Sequence, residues 1–131
     1  GSTNVKPKTK KKVMDVIDRV DMMEPNAFSP EQKLRWLSNL DGKVFTDVIL
    51  THEDGKLDAL PDYQTGQEEL LIPRPYGEDI YHNYLMAMMD AENNETQRYN
   101  RRMTMFNSLY QEFTNWYNRT HRPKSTGKQF I

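Results

Sequence analysis

From Tyr81 to Arg122 the chain runs 42 residues without a glycine or a proline. Its large apolar residues recur in steps of three and four: Tyr81, Tyr84/Leu85, Met88, Ala91, Tyr99, Met103, Phe106, Leu109/Tyr110, Phe113 and Trp116/Tyr117. That spacing is the signature of an amphipathic helix. The one weak point is Asn93-Asn94, because Asn is poor inside a helix and good at its start. With Asn94 as N-cap, Gln97 stands where a capping box needs it. The stretch is therefore predicted as two helices, 79–92 and 95–119, folded back as an antiparallel hairpin. A single helix would be about 60 Å long, too long for a lone domain of this size.

Before the hairpin, Val13, Val16/Ile17, Val20 and Met23 predict a short helix over 13–23, stopped by Pro25. Ser29-Pro30-Glu31-Gln32 then marks a helix start: Ser29 as N-cap, Pro30 in the first turn, Gln32 closing the box. Leu34, Leu37, Leu40, Val44 and Val48 keep helical phase across Gly42, which predicts a helix over 30–51 with a weak point at Asp41-Gly42. Residues 52–78 read as a long loop rich in Pro, Gly and Asp, with Glu69–Ile72 able to form a short strand or hairpin over 68–73. A connection that long in a small domain is either functional or ordered by a partner.

The expected architecture is all-α. It is a small bundle of about four helices (residues 13–122), with a basic arm over 1–12 and a polar tail over 123–131, both expected to be flexible. The expected core is Trp36, Leu37, Leu40, Val44, Leu85, Met88, Tyr99, Met103, Phe106, Tyr110, Phe113 and Trp116. A chain of 131 residues fits one domain. With no Cys there is no disulfide or thiolate chemistry. No apolar run approaches the ~20 residues of a membrane span, and no stretch reads as a signal peptide.

Charge is segregated. Residues 1–12 hold five Lys and no acid, 13–97 hold six basic and eighteen acidic groups, and 98–131 hold seven basic groups against Glu112 alone. Such polarity favours head-to-tail contact between copies, or internal neutralisation in one fold. Arg98, Arg101 and Arg102 lie on one turn and form a candidate basic patch, for a neighbouring subunit or for DNA. The opposing reading is a helix face neutralised by nearby acids. No recognisable nucleic-acid module accompanies the patch. The tail ends in Phe130-Ile131. Together with Arg122, Pro123, Lys124 and Lys128 it is the candidate docking segment for another protein.

Catalytic signals are sparse. His52, His82 and His121 are scattered, no metal-ligand spacing occurs, and no Gly-rich phosphate loop or nucleophile turn is present. The expectation is a non-enzyme with no catalytic residues, metal, cofactor or small-molecule substrate.

Three strings carry a resemblance: "PNAFSPEQKLRWLSNLDGKV", "ELLIPRPYGEDIYHNYLMAMMDAENNETQRYN" and "FNSLYQEFTNWYNRTHRPK". In content and order they resemble small virion proteins of tailed bacteriophages and prophages, of the head–tail connector (adaptor, head-completion) type. The resemblance covers about residues 13–124. It implies a helical bundle with a long loop and extended ends. It also implies a homo-oligomeric ring in the virion at the head–tail junction, bound to the portal protein and a downstream tail or stopper protein, near the DNA channel. It assigns no role to any single residue. The competing expectation is a nucleic-acid-binding regulator or DNA-packaging accessory protein using the Lys arm and the arginine patch.

Overall fold

The computed structural model describes residues 12–52 and 60–123. It is an all-α bundle of four helices, with no strand among the described residues: α1 (Val13–Met23), α2 (Pro30–Asp47), α3 (Tyr76–Glu92) and α4 (Thr96–Thr120), with a 3-10 turn over Ile49–Thr51 after α2. Ser29 caps α2 as its sequence predicts, its Oγ accepting the Gln32 N–H at 3.1 Å, and Pro30 fills the first turn. The reciprocal half of the box is missing, because Gln32 turns its side-chain oxygen to Arg35 instead. α2 stops at Asp47, short of Thr51. From Val48 onward the N–H groups of Thr51 and His52 bond three residues back, to Val48 and Ile49, which tightens the last turn.

The hairpin forms, but its turn is built differently from the expected cap. Asn94 adopts φ 59°, and Glu95, not Asn94, occupies the N-cap of α4, with no side-chain cap bond. The Glu95 N–H donates to the Asp90 carbonyl at 2.9 Å and the Asn94 N–H to the Ala91 carbonyl at 3.2 Å. These are the two bonds of a Schellman ending, in which the left-handed residue is Gly or Asn. Asn94 therefore closes α3 rather than opening α4, since satisfying α3's last carbonyls needs a residue that tolerates positive φ.

α3 and α4 run antiparallel, with Tyr84 against Phe106 at a centroid spacing of 5.4 Å and Tyr76 against Trp116 at 5.4 Å. α3 is the central element. α1, α2 and α4 all pack on it, and the backbone of α4 approaches only α3 among the helices. The core holds Trp36, Leu37, Leu40, Val44, Leu85, Phe106 and Phe113 as expected. Met88, Met103, Tyr110 and Trp116 are partly buried against it. Tyr99 is not part of the core. It lies in the first turns of α4, where the inward sector is taken by an ion-pair network around Asp90.

The described part of the expected loop, 60–75, has no helix or strand, so the short strand or hairpin allowed over 68–73 does not form, yet the segment is tied to the helices by its own chain. Only one isolated bridge forms there, Lys12 with Glu69. The strand fails because the segment's N–H groups are spent on side chains: Leu71 N–H on Asp41 Oδ2 at 3.2 Å and Ile72 N–H on the Tyr81 hydroxyl at 2.8 Å. Upstream, the Gly66 and Glu68 carbonyls accept the first N–H groups of α1, from Met14 and Val13, at 2.9 Å each. This supplies the helix start with the acceptors that Lys12 does not. α3 also begins earlier than expected, at Tyr76, because the Pro73 carbonyl accepts both the Tyr76 and Gly77 N–H groups. Gly77 is required there: a Cβ would lie 2.2 Å from the Ile72 carbonyl oxygen. Of the two expected ends, the structure places Lys12 and Pro123, the latter bridged to His52.

Candidate functional site

The candidate basic patch divides once α1 is in place. Glu24 ends α1, and Asp90 sits in the last turns of α3 with its side chain almost fully buried. Arg102 reaches both, Nε to Asp90 Oδ2 at 2.9 Å and Nη2 to Glu24 Oε2. Arg98 joins them, 3.1 Å from Asp90 Oδ1 and 3.9 Å from Glu24. The bond and charge of Asp90 push the Arg98 guanidinium further up. Two of the three arginines thus neutralise a buried acid and tie α1, α3 and α4 together. Arg101 points outward, with no ion-pair or hydrogen-bond partner among the described residues. The sequence reading of a neutralised helix face holds for Arg98 and Arg102 and not for Arg101.

The candidate docking segment is only partly visible. Arg122 and Pro123 are exposed at the end of α4, while Lys124, Lys128, Phe130 and Ile131 lie outside the described residues. What roots this segment is a cluster that sequence spacing did not reveal. His52 is buried, and its Nδ1 sits 2.7 Å from the Val48 carbonyl oxygen and 3.0 Å from the Thr51 hydroxyl. Its Nε2 faces the Asn118 side-chain amide at 2.9 Å. The His52 ring meets Tyr117 edge-on at 4.6 Å, and His121 stacks flat on Tyr117 at 3.7 Å and lies 6.2 Å from His52. His52 thereby joins the end of α2 to the end of α4, across 66 residues of chain.

A buried polar centre also went unread. Asp41 is fully buried in α2. It accepts from the Tyr81 hydroxyl at 2.7 and 2.9 Å, from the Tyr63 hydroxyl, and from the Leu71 N–H. Burial, then the neighbouring carboxylate, pushes both phenols well up, so they stay protonated donors. The only sequence cue was an acid on the apolar side of a helix, beside Leu37, Leu40 and Val44. Next to Tyr81 the packing leaves a cavity of 10 Å³, room for about one water and no reactant.

Glu68 organises the turn before it, taking N–H bonds from Gln64, Thr65 and Gly66 at 2.8, 3.1 and 2.8 Å. Partial burial raises its carboxyl, but these backbone bonds outweigh it and hold the group down to about 2. The larger depressions are open grooves. One of 660 Å³ runs along Ser38, Gly42 and Thr46 of α2 to Leu60 and Asp62. Among the described residues no group of three His, Cys, Asp or Glu side chains converges as a metal site, and no helix is long and apolar enough to cross a membrane.

No family model matches the chain, and no curated protein or solved structure is significantly similar to it.

Proposed function

We propose that this chain is a structural, non-enzymatic subunit of the head–tail connector type of tailed bacteriophages. It assembles as a ring on the portal protein, meets a downstream tail or stopper protein, and helps to form the DNA channel in the virion. The observation that carries the reading is how the aromatic-and-methionine seam is used. Phe106, Tyr110, Phe113 and Trp116 form a continuous ladder of rings along α4, joined to α3 through Tyr84 and Tyr76. The buried ionisable groups beside it, Asp41 and Asp90, are saturated by Tyr and Arg partners. Such a body offers surfaces rather than a reaction chamber. The order of the sequence strings and the segregated charge agree with this reading. The regulator reading would rest on a basic patch in which Arg98 and Arg102 are already engaged by acids, leaving Arg101 and the Lys arm.

The test is binding to portal protein. The 15.5 kDa chain mixed with portal sediments as a complex containing several copies, and removing residues 123–131 abolishes that complex. Failure of the full chain to bind portal, or undiminished binding by the truncated chain, refutes the docking scheme. A gel shift that survives physiological salt and prefers one DNA sequence would turn the assignment to the regulator.

A further inference from the structure

The outward side of α4 carries a pattern the fold does not use. From Asn100 to Asn115 the exposed positions are dominated by short neutral side chains: Asn100, Thr104, Asn107, Ser108 and Asn115, with Gln111 among them. Asn, Ser and Thr are poor helix formers, and a merely solvated face does better with Lys, Glu and Ala. Two charges stand in this field, Arg101 and Glu112, both exposed and neither with a partner among the described residues. They are eleven residues apart, which is three turns and about 16 Å, with only ~20° of drift around the axis. Arg101 and Glu112 therefore share one edge of the helix, and Met105, 53% exposed, lies on the same edge between them.

We propose that this edge of α4 is a self-association surface, on which two copies pack antiparallel about a two-fold axis. A two-fold axis passing between the two helices, at the level of residues 106 and 107, brings Arg101 level with Glu112 of the partner subunit. By symmetry it brings Glu112 level with the partner's Arg101. The antiparallel arrangement also sets this edge against the same edge of the other helix, so both pairs close. A parallel arrangement would set Arg101 beside the partner's Arg101. Met105 falls about one and a half residues from the axis, ~2 Å along the helix, and meets the partner's Met105 there. Ser108 beside it is small enough to let the two backbones approach. The contact is isologous and stops at two copies. With one large apolar side chain per copy and two exposed ion pairs, the contact is a weak one.

This contact does not rest on the connector assignment, which is tested on portal and not on self-association. The experiment is sedimentation equilibrium of the full chain, from about 10 µM to about 1 mM at low salt, where ion pairs count most. The expected result is a monomer–dimer equilibrium that weakens as salt is added. R101E and E112R each weaken dimerisation roughly tenfold or more, because each turns two attractions into two repulsions. The double reversal R101E/E112R restores the wild-type constant. All these positions are exposed, so helicity by circular dichroism stays unchanged. A chain that is monomeric throughout overturns the proposal. So do single reversals that dimerise like wild type, or a double reversal that fails to recover.

Discussion

Asp41→Ala removes the acceptor for two buried donors, the Tyr63 and Tyr81 hydroxyls, and for the part-buried Leu71 N–H. Tyr81 is 1% exposed and Tyr63 6%, so water reaches neither without opening the core. Each orphaned donor costs roughly 1 to 3 kcal/mol. Against this stands relief from keeping a carboxylate out of water, a few kcal/mol that the present bonds already offset. Taking the low end for each donor, the net loss is about 3 kcal/mol, with about 5 as the upper bound. A domain of this size has only about 5–15 kcal/mol in total. At ~3–5 °C per kcal/mol, the melting temperature falls by about 10–15 °C. Urea unfolding gives the free energy. Asp47→Ala, an exposed acid on the same helix, is the control and should stay within about 0.5 kcal/mol. Tyr81→Phe combined with Asp41→Ala should cost much less than the sum of the two, because both break one network. Hydrogen exchange at Leu71 and Ile72 should accelerate before exchange in α3. If Asp41→Ala lies within about 1 kcal/mol of wild type, or the cycle is additive, the centre does not hold the 60–75 segment as argued.

Two further perturbations follow from the geometry. Gly77→Ala places a methyl 2.2 Å from the Ile72 carbonyl oxygen, and should destabilise by roughly 2–3 kcal/mol in urea. Gly42→Ala meets nothing within 4 Å and sits inside α2, so it should stabilise by about 0.5–1 kcal/mol; the opposite order would refute the placement of both glycines. Glu68 has its folded-state carboxyl below its ordinary value. Its contribution is therefore complete above pH 4.5 and lost as pH falls toward 2. As the group is largely exposed, that contribution is about 1 kcal/mol or less after solvent screening. Glu68→Gln should flatten the acid limb of the stability curve and leave its alkaline side alone, which a urea series from pH 2 to 7 measures.

Periodicity by itself determined the helical plan. Val13 to Met23, the Ser29-Pro30 start and the two halves of the Tyr81–Arg122 stretch each announce themselves within about a dozen residues, because helix phase, caps and breakers act over one to four residues. The seam from Leu85 to Trp116 was legible for the same reason. What the tertiary structure alone decided were the pairings between groups far apart in the chain. Nothing in the sequence places Asp41 opposite Tyr63 and Tyr81, or Glu24 beside Arg102, or His52 beside Asn118, since such pairings exist only after the helices have crossed. The 60–75 segment looked structureless because, apart from the turn closed by Glu68, its order comes from Asp41, Tyr81 and α1 rather than from a periodic backbone pattern. Asn94 was misread because a short polar residue suits either end of a helix, and only the carbonyls left open by α3 choose between them.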